Sequence, residues 1–93
     1  MIVGSRSAET ERIWRGDLSR VLPQAIQQIA SRKLRMLNNA KVLRDLSVPP
    51  NNHLEALRSD RAGQHSIRIN RQWRICFVWT SGGPDRVEIV DYH

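Results

Sequence analysis

The chain is poor in cysteine, in aromatic side chains and in long apolar runs. Cys76 is the single cysteine among 93 residues, which excludes a disulfide framework and a cysteine-based zinc site. It lies inside "RICFVWT" and reads as a buried, inert thiol. Such usage fits a reducing cytoplasm. No stretch approaches the ~20 apolar residues of a membrane span, and the short apolar start of "MIVGSRSAETERIWRG" falls far short of a signal-peptide h-region. The expectation is a cytoplasmic protein with no membrane partner. Acidic residues are also scarce. Nine Asp and Glu face fifteen Lys and Arg, a net charge of +6.

Thirteen of the fifteen cations are arginine. Guanidinium forks match phosphate oxygens bidentately where an ammonium acts as a point charge. So basic a small domain points to a polyanionic partner, nucleic acid or an acidic protein. Hydrophobic residues make up 40%, enough for one core in a single domain spanning 1–93.

The order of patterns is helices first, then strands. "MIV" reads as a first strand. Ser7 caps a short helix through "AETERIWR", with Glu9 and Glu11 at the positive end of its dipole and Gly16 ending it. A longer helix follows Pro23, with Ile26, Ile29, Ala30, Met36, Leu37 and Ala40 at helical steps and Arg32, Lys33 and Arg35 on the exposed side. "SVPPNNH" stops helical structure at Pro49 and Pro50. "GQHSIRIN" and "QWRICFVWT" alternate as strands, "SGGPD" is a turn, and "RVEIV" is the last strand. Two helices on a small antiparallel sheet make an α+β domain.

Strand parity divides the side chains. His65, Ile67 and Ile69 share one face with Trp73, Ile75 and Phe77, leaving Arg68 and Arg74 on the other. Two arginines facing each other on paired strands repel unless an anion lies between them or a carboxylate such as Glu88 pairs with them. His65, beside the isoleucines, reads as a partly buried, hydrogen-bonded histidine. Trp73, Phe77 and Trp79 belong to the core, which leaves Tyr92 to stack on a base.

These motifs in this order, "LPQAIQQIASRKLRML", "PP", "NHLEALRSDRAG", "SIRIN", "WRICF" and "VEIVDYH", resemble the HigB group of bacterial toxins within the RelE/ParE superfamily. The likeness covers essentially the whole chain. It implies a RelE-like fold of two helices followed by an antiparallel sheet. It also implies a toxin of a type II toxin–antitoxin system, an endoribonuclease (mRNA interferase) that cuts messenger RNA on the ribosome without metal or cofactor. The implied partners are a HigA-like helix-turn-helix antitoxin, the ribosome and mRNA. The catalytic roles fall by resemblance on His53, Asp91, Tyr92 and His93, with Arg68, Arg74 and Arg58 binding phosphate. The chain departs from the pattern at His53, where many relatives carry Arg, and at "LRS", where many have "L-K-G".

The residue types suit that chemistry. RNA carries its own nucleophile, the 2′-OH, so cleavage needs a base, an acid and cations around the phosphorane. Imidazole, with an unperturbed pKa near ~6.5, serves either proton role, and arginines supply a preorganised positive field. No H-E-x-x-H or similar spacing marks a metal site. Asp91 and His93 share parity with Val87 and Ile89, whereas Tyr92 points the other way, so convergence of all three requires the strand to lose regularity at Asp91. The alternative function on the same fold is a ParE-like, non-nucleolytic toxin acting on DNA gyrase; a non-catalytic basic binding module is a third.

Overall fold

In the computed structural model, which describes residues 1–92, helices α1 (Ala8–Trp14) and α2 (Gln24–Asn39) precede four strands. These are β1 (Glu55–Ala56), β2 (His65–Arg68), β3 (Trp73–Thr80) and β4 (Gly83–Asp91), paired antiparallel in the order β1-β2-β3-β4. The expected α+β architecture is therefore present, with one strand, β1, that alternation did not reveal.

α1 is seven residues long, too short to hold itself together in water. Ser7 caps it, its Oγ accepting the Thr10 N–H at 3.1 Å, and Gly16 closes it at φ +91°. Its stability comes from burying Ile13 and Thr10. α2 buries Ile26, Ala30, Leu34 and Leu37. Leu34, absent from the stripe read above, completes its inner face. Ile67, Ile75, Phe77, Val87 and Ile89 meet that stripe from the sheet. Trp14, Trp73 and Trp79 pack around the margin, partly buried.

The outer edge of β4 is closed by the N-terminal segment. Val3 donates to the Pro84 carbonyl, Val87 to Gly4 and Arg6 to Val87, at 2.7, 3.0 and 2.9 Å. "MIV" is thus no strand of its own. The last two of these bonds make an isolated parallel bridge, Ser5 to Val87, and the pairing goes no further. Further along the same edge, the Ile89 N–H donates to Thr10 Oγ1 at 2.9 Å in a buried setting. Unpaired edge groups that would invite another strand are satisfied within the chain.

The hairpin differs from its sequence reading. Ser81 and Gly82 make the turn, and Gly83, Pro84 and Asp85 already belong to β4. The register moves from Cys76↔Glu88 to Val78↔Asp85, so β4 carries one extra residue there, with Arg86 at φ +51°. Pro84 is tolerated because it sits on an edge strand, where a missing donor costs no ladder bond. Gly83 lies at φ +123°, and a Cβ on it would stand 2.1 Å from the Met1 carbonyl oxygen. Only glycine fits under the N-terminus at that point.

The second face of the sheet is covered as well. Ser66 and Cys76, both on that face, are fully buried. The connection from α2 to β2 folds as three short 3-10 turns, Leu43–Ser47, Pro50–Asn52 and Ser59–Arg61, with β1 between the last two. It meets the covered face through the His53 carbonyl and Arg61. Asn52 anchors it, fully buried, its Nδ2 donating to the Leu46 carbonyl at 3.0 Å.

Thr10→Val keeps the shape of the side chain but removes the acceptor from the Ile89 N–H. Urea denaturation should show a loss of about 1–3 kcal/mol, the cost of a buried donor left unmet; an unchanged midpoint would mean that this edge group is satisfied elsewhere.

Candidate functional site

Arg74 organises the covered face. It faces Arg68 across β2 and β3, as direct Cα partners, yet it is 92% buried, with 8% of its surface exposed. Its Nε donates to Ser66 Oγ at 2.7 Å, and a terminal nitrogen donates to the His53 carbonyl at 2.6 Å. The guanidinium carbon lies 5.8 Å from the centroid of the Tyr92 ring, within cation–π range. Three sequence-distant elements are thus gathered on one cation.

The His53 backbone is shaped for this. It ends the Pro50–Asn52 turn at φ 46°, ψ 53°, a left-handed conformation that histidine adopts more readily than branched residues do. Its N–H is bonded to the Pro50 carbonyl at 3.1 Å while its own carbonyl meets Arg74. The residue stays exposed, and only its carbonyl is shown in contact with the cation.

Glu88 does not pair with either sheet arginine. It faces Arg61, 3.3 Å away, because the Ser59–Arg61 turn brings that guanidinium over the sheet. Among the described residues, the remaining ion pairs are Arg12–Glu9 and Arg15–Glu11 on α1. Arg74 is therefore held by neutral acceptors, and no carboxylate cancels its charge among these pairs.

β4 stays regular at its end. Asp91 pairs with Trp73, and the Tyr92 N–H continues the ladder to the Gln72 carbonyl at 2.7 Å. The expected loss of regularity at Asp91 does not occur. Alternation instead brings Tyr92, not Asp91, to the arginine face, since Asp91 shares the side of Trp73. One Asp91 contact is from Gln72 Nε2, at 3.0 Å. His93 lies outside the described residues.

Arg58 and Tyr92 line a common cleft of 480 Å³ with Glu55, Ala56, Leu57 and Ser59. Arg68, by contrast, lines a 360 Å³ cavity against α2, and its Nε is buried without a hydrogen-bond partner among the described residues. The structure thus brings together Arg74, Tyr92 and the backbone carbonyl of His53, sets Arg58 beside Tyr92, and turns Arg68 toward the helix. Ser66 was missed by sequence reading. Its signal was parity with Arg68 and Arg74 on the neighbouring strand.

His65 is half-buried as expected, but its Nδ1 is enclosed without a partner among the described residues, and its ring stacks on Phe77 with centroids 6.3 Å apart. Packing rather than hydrogen bonding fixes it. Cys76, fully buried, has its thiol pKa raised, chiefly by burial. Fewer thiolates exist at neutral pH, so a thiol reagent should react slowly with folded protein and rapidly once it is unfolded. Fast labelling of the native form would contradict this.

Arg74→Ala leaves Ser66 Oγ and the His53 carbonyl without their donor. A stability loss of about 1–3 kcal/mol is expected in denaturant titration. Arg74→Lys should recover only part, because an ammonium cannot span both acceptors as the planar fork does.

Residues 6–93 match the family described as RelE-like toxin of type II toxin-antitoxin system HigB. Toxin HigB-1 of Vibrio cholerae is 40% identical over 63 residues, which cover 68% of this chain and 66% of that protein. An uncharacterized protein of Haemophilus influenzae is 36% identical over 64 residues, 69% of this chain and 63% of that protein. The chain thus spans slightly less than two thirds of the curated relatives it matches. With the match extending over α1, α2 and every strand of the sheet, the chain belongs to the HigB-like family of RelE-like toxins.

Proposed function

We propose that this chain is the toxin of a type II toxin–antitoxin pair and acts as a ribosome-dependent, metal-independent endoribonuclease on messenger RNA. Family membership supports the class. The observation that carries the chemistry is Arg74, a buried guanidinium fixed by Ser66 and the His53 carbonyl beneath Tyr92. A cation so fixed costs no reorganisation when negative charge develops on a phosphorane. A gyrase poison has no use for such a centre with a phenol above it.

In the proposed reaction a base removes the proton of the 2′-OH, the O2′–P bond forms, and the P–O5′ bond breaks. An acid returns a proton to the departing 5′ oxygen, leaving a 2′,3′-cyclic phosphate and a 5′-hydroxyl. His53 and His93 are the two proton-transfer groups, one taking the 2′-OH proton and the other protonating the departing 5′ oxygen. Arg74 stabilises the phosphorane oxygens. Tyr92 stacks on a splayed base, and Arg58, across their shared cleft, holds a neighbouring phosphate. Asp91, tied to Gln72, is a positioning residue that fixes the chain beside His93. The net charge of +6 suits both RNA on the ribosome and an acidic surface on a HigA-like helix-turn-helix antitoxin. All of these partners are cytoplasmic.

The test is to map message cut sites by primer extension, with and without translating ribosomes. Wild type should cut only with ribosomes, and His93→Ala should cut roughly 10²–10⁴-fold more slowly, the range for loss of one acid–base group. Undiminished cutting by both His53→Ala and His93→Ala would reject the assignment of roles. Intact messages together with inhibited DNA supercoiling would replace the reading with a ParE-like one.

A further inference from the structure

The turn that presents Arg58 has little of its own to hold it down. Ser59–Arg61 buries none of its residues, and its N-cap, Arg58, makes no capping bond through its side chain. Ser59 stands at φ +55°, a left-handed backbone that costs a serine more than a glycine. Three backbone bonds close the turn on itself, from Arg61 to Arg58, Ala62 to Ser59 and Gln64 to Arg61, at 3.1, 3.1 and 3.0 Å. None of these ties it to β3 or β4.

That tie is made by Arg61 and Glu88. The guanidinium lies 3.3 Å from the carboxylate, with side chains only 30% and 22% exposed, so salt screens this pair less than an open one. The same terminal nitrogen of Arg61 donates to Gln64 Oε1 at 3.1 Å. Glu88 is itself fixed on β4, facing the fully buried Cys76 of β3. Tyr92 follows four residues later, on the same side of the strand. One carboxylate therefore fixes the turn that bears Arg58 to the strand that leads to Tyr92, and these two residues line one 480 Å³ cleft. Glu55 lines it too, and among the described residues its carboxylate is in no ion pair. A turn released from Glu88 would let Arg58 fold onto Glu55, which would cancel its charge.

We infer that the Arg61–Glu88 pair is a latch, and that both members are positioning residues for RNA, acting through Arg58. Glu88 is a carboxylate in a basic protein that binds a polyanion, yet it favours that binding. It does so by keeping a cation where the RNA passes. This role rests on the endoribonuclease reading for its ligand, but binding can be read without cleavage.

The probe is a fluorescent RNA oligonucleotide with 2′-O-methyl riboses, which binds but cannot be cut. Glu88→Gln removes a negative charge, and that change alone predicts tighter binding to a polyanion. The latch requires the reverse. In anisotropy titrations of the full chain, affinity should fall roughly tenfold, as for one charge-assisted hydrogen bond. The slope of log K against log salt should fall by about 0.7, as for one single-strand phosphate contact. With Arg58→Ala already present, Glu88→Gln should cost nothing more, because both remove the same contact. Arg61→Met should act like Glu88→Gln, whereas Arg61→Lys, which keeps the charge, should retain most of the affinity. Glu11→Gln removes a carboxylate from the exposed Arg15–Glu11 pair on α1 and should not weaken binding.

Tighter binding by Glu88→Gln, or an equal loss with and without Arg58, would overturn the proposal. A loss of the same size in Glu11→Gln would do so too. Should Arg61→Met fail to fold, the near-isosteric Glu88→Gln still decides the matter. A wild type that shows the coupling between Glu88 and Arg58 but cuts no message would refute the endoribonuclease reading and leave the latch standing.

Discussion

A guanidinium under cover must have its donors met, and the way Arg74 meets them governs much of this molecule. Its position on β3 turns it away from the helices, onto a face that would be open to water in a simple two-layer domain. Ser66 from β2 and the carbonyl of His53 supply the acceptors. The second of these is available only because the α2–β2 connection is folded back over the sheet and His53 takes a left-handed backbone. The cover therefore hides the cation and also supplies one of its partners. Neither of these two acceptors is charged, so they meet the donors of the guanidinium without cancelling its charge.

The other face is an ordinary core, and it serves the site by immobilising it. α2 fills the space above Ile67, Ile75 and Phe77, and α1 is fastened to β4 by Thr10. The N-terminal segment occupies the free edge of β4 from Pro84 to Val87, past the bulge at Arg86. With that edge bound, β4 can run regularly to Asp91 and deliver Tyr92 to the arginine side. A bulge nearer the end of the strand would have reversed that placement, since one extra residue flips every later side chain.

Asn52 links the two halves. Fully buried, it takes a hydrogen bond from Lys33 of α2 and gives one to the Leu46 carbonyl. The polar turn that presents His53 is thus fixed to the same helix that lines the Arg68 cavity. Neither the loop nor the helix surface was informative by composition. "SVPPNNH" looked like a plain break, and "SRKLR" looked like a solvated charge run. Each owes its role to a contact with a residue far along the chain.

The sequence by itself determined whatever repeats with a local period or depends on a single residue's chemistry. This covers two helices, the alternation of "SIRIN" and "WRICF", the inward aromatic side chains, the arginine excess and the ordered motifs of the HigB group. Because strand parity is local, it also put Arg68 and Arg74 on one face and set Tyr92 opposite to Asp91, whereas the register and bulge of β4 decided that Tyr92 takes the arginine side without the expected break at Asp91. Only the tertiary structure decided where those side chains go. Glu88 went to Arg61 rather than to the sheet arginines, Arg68 to α2, Arg74 to the His53 carbonyl, and β1 to the edge of β2. Each depends on hydrogen bonds or packing between residues separated by many positions. A two-residue strand or a turn laid over a sheet has no periodicity of its own, so nothing in the order of amino acids announces it until the chain has folded back on itself.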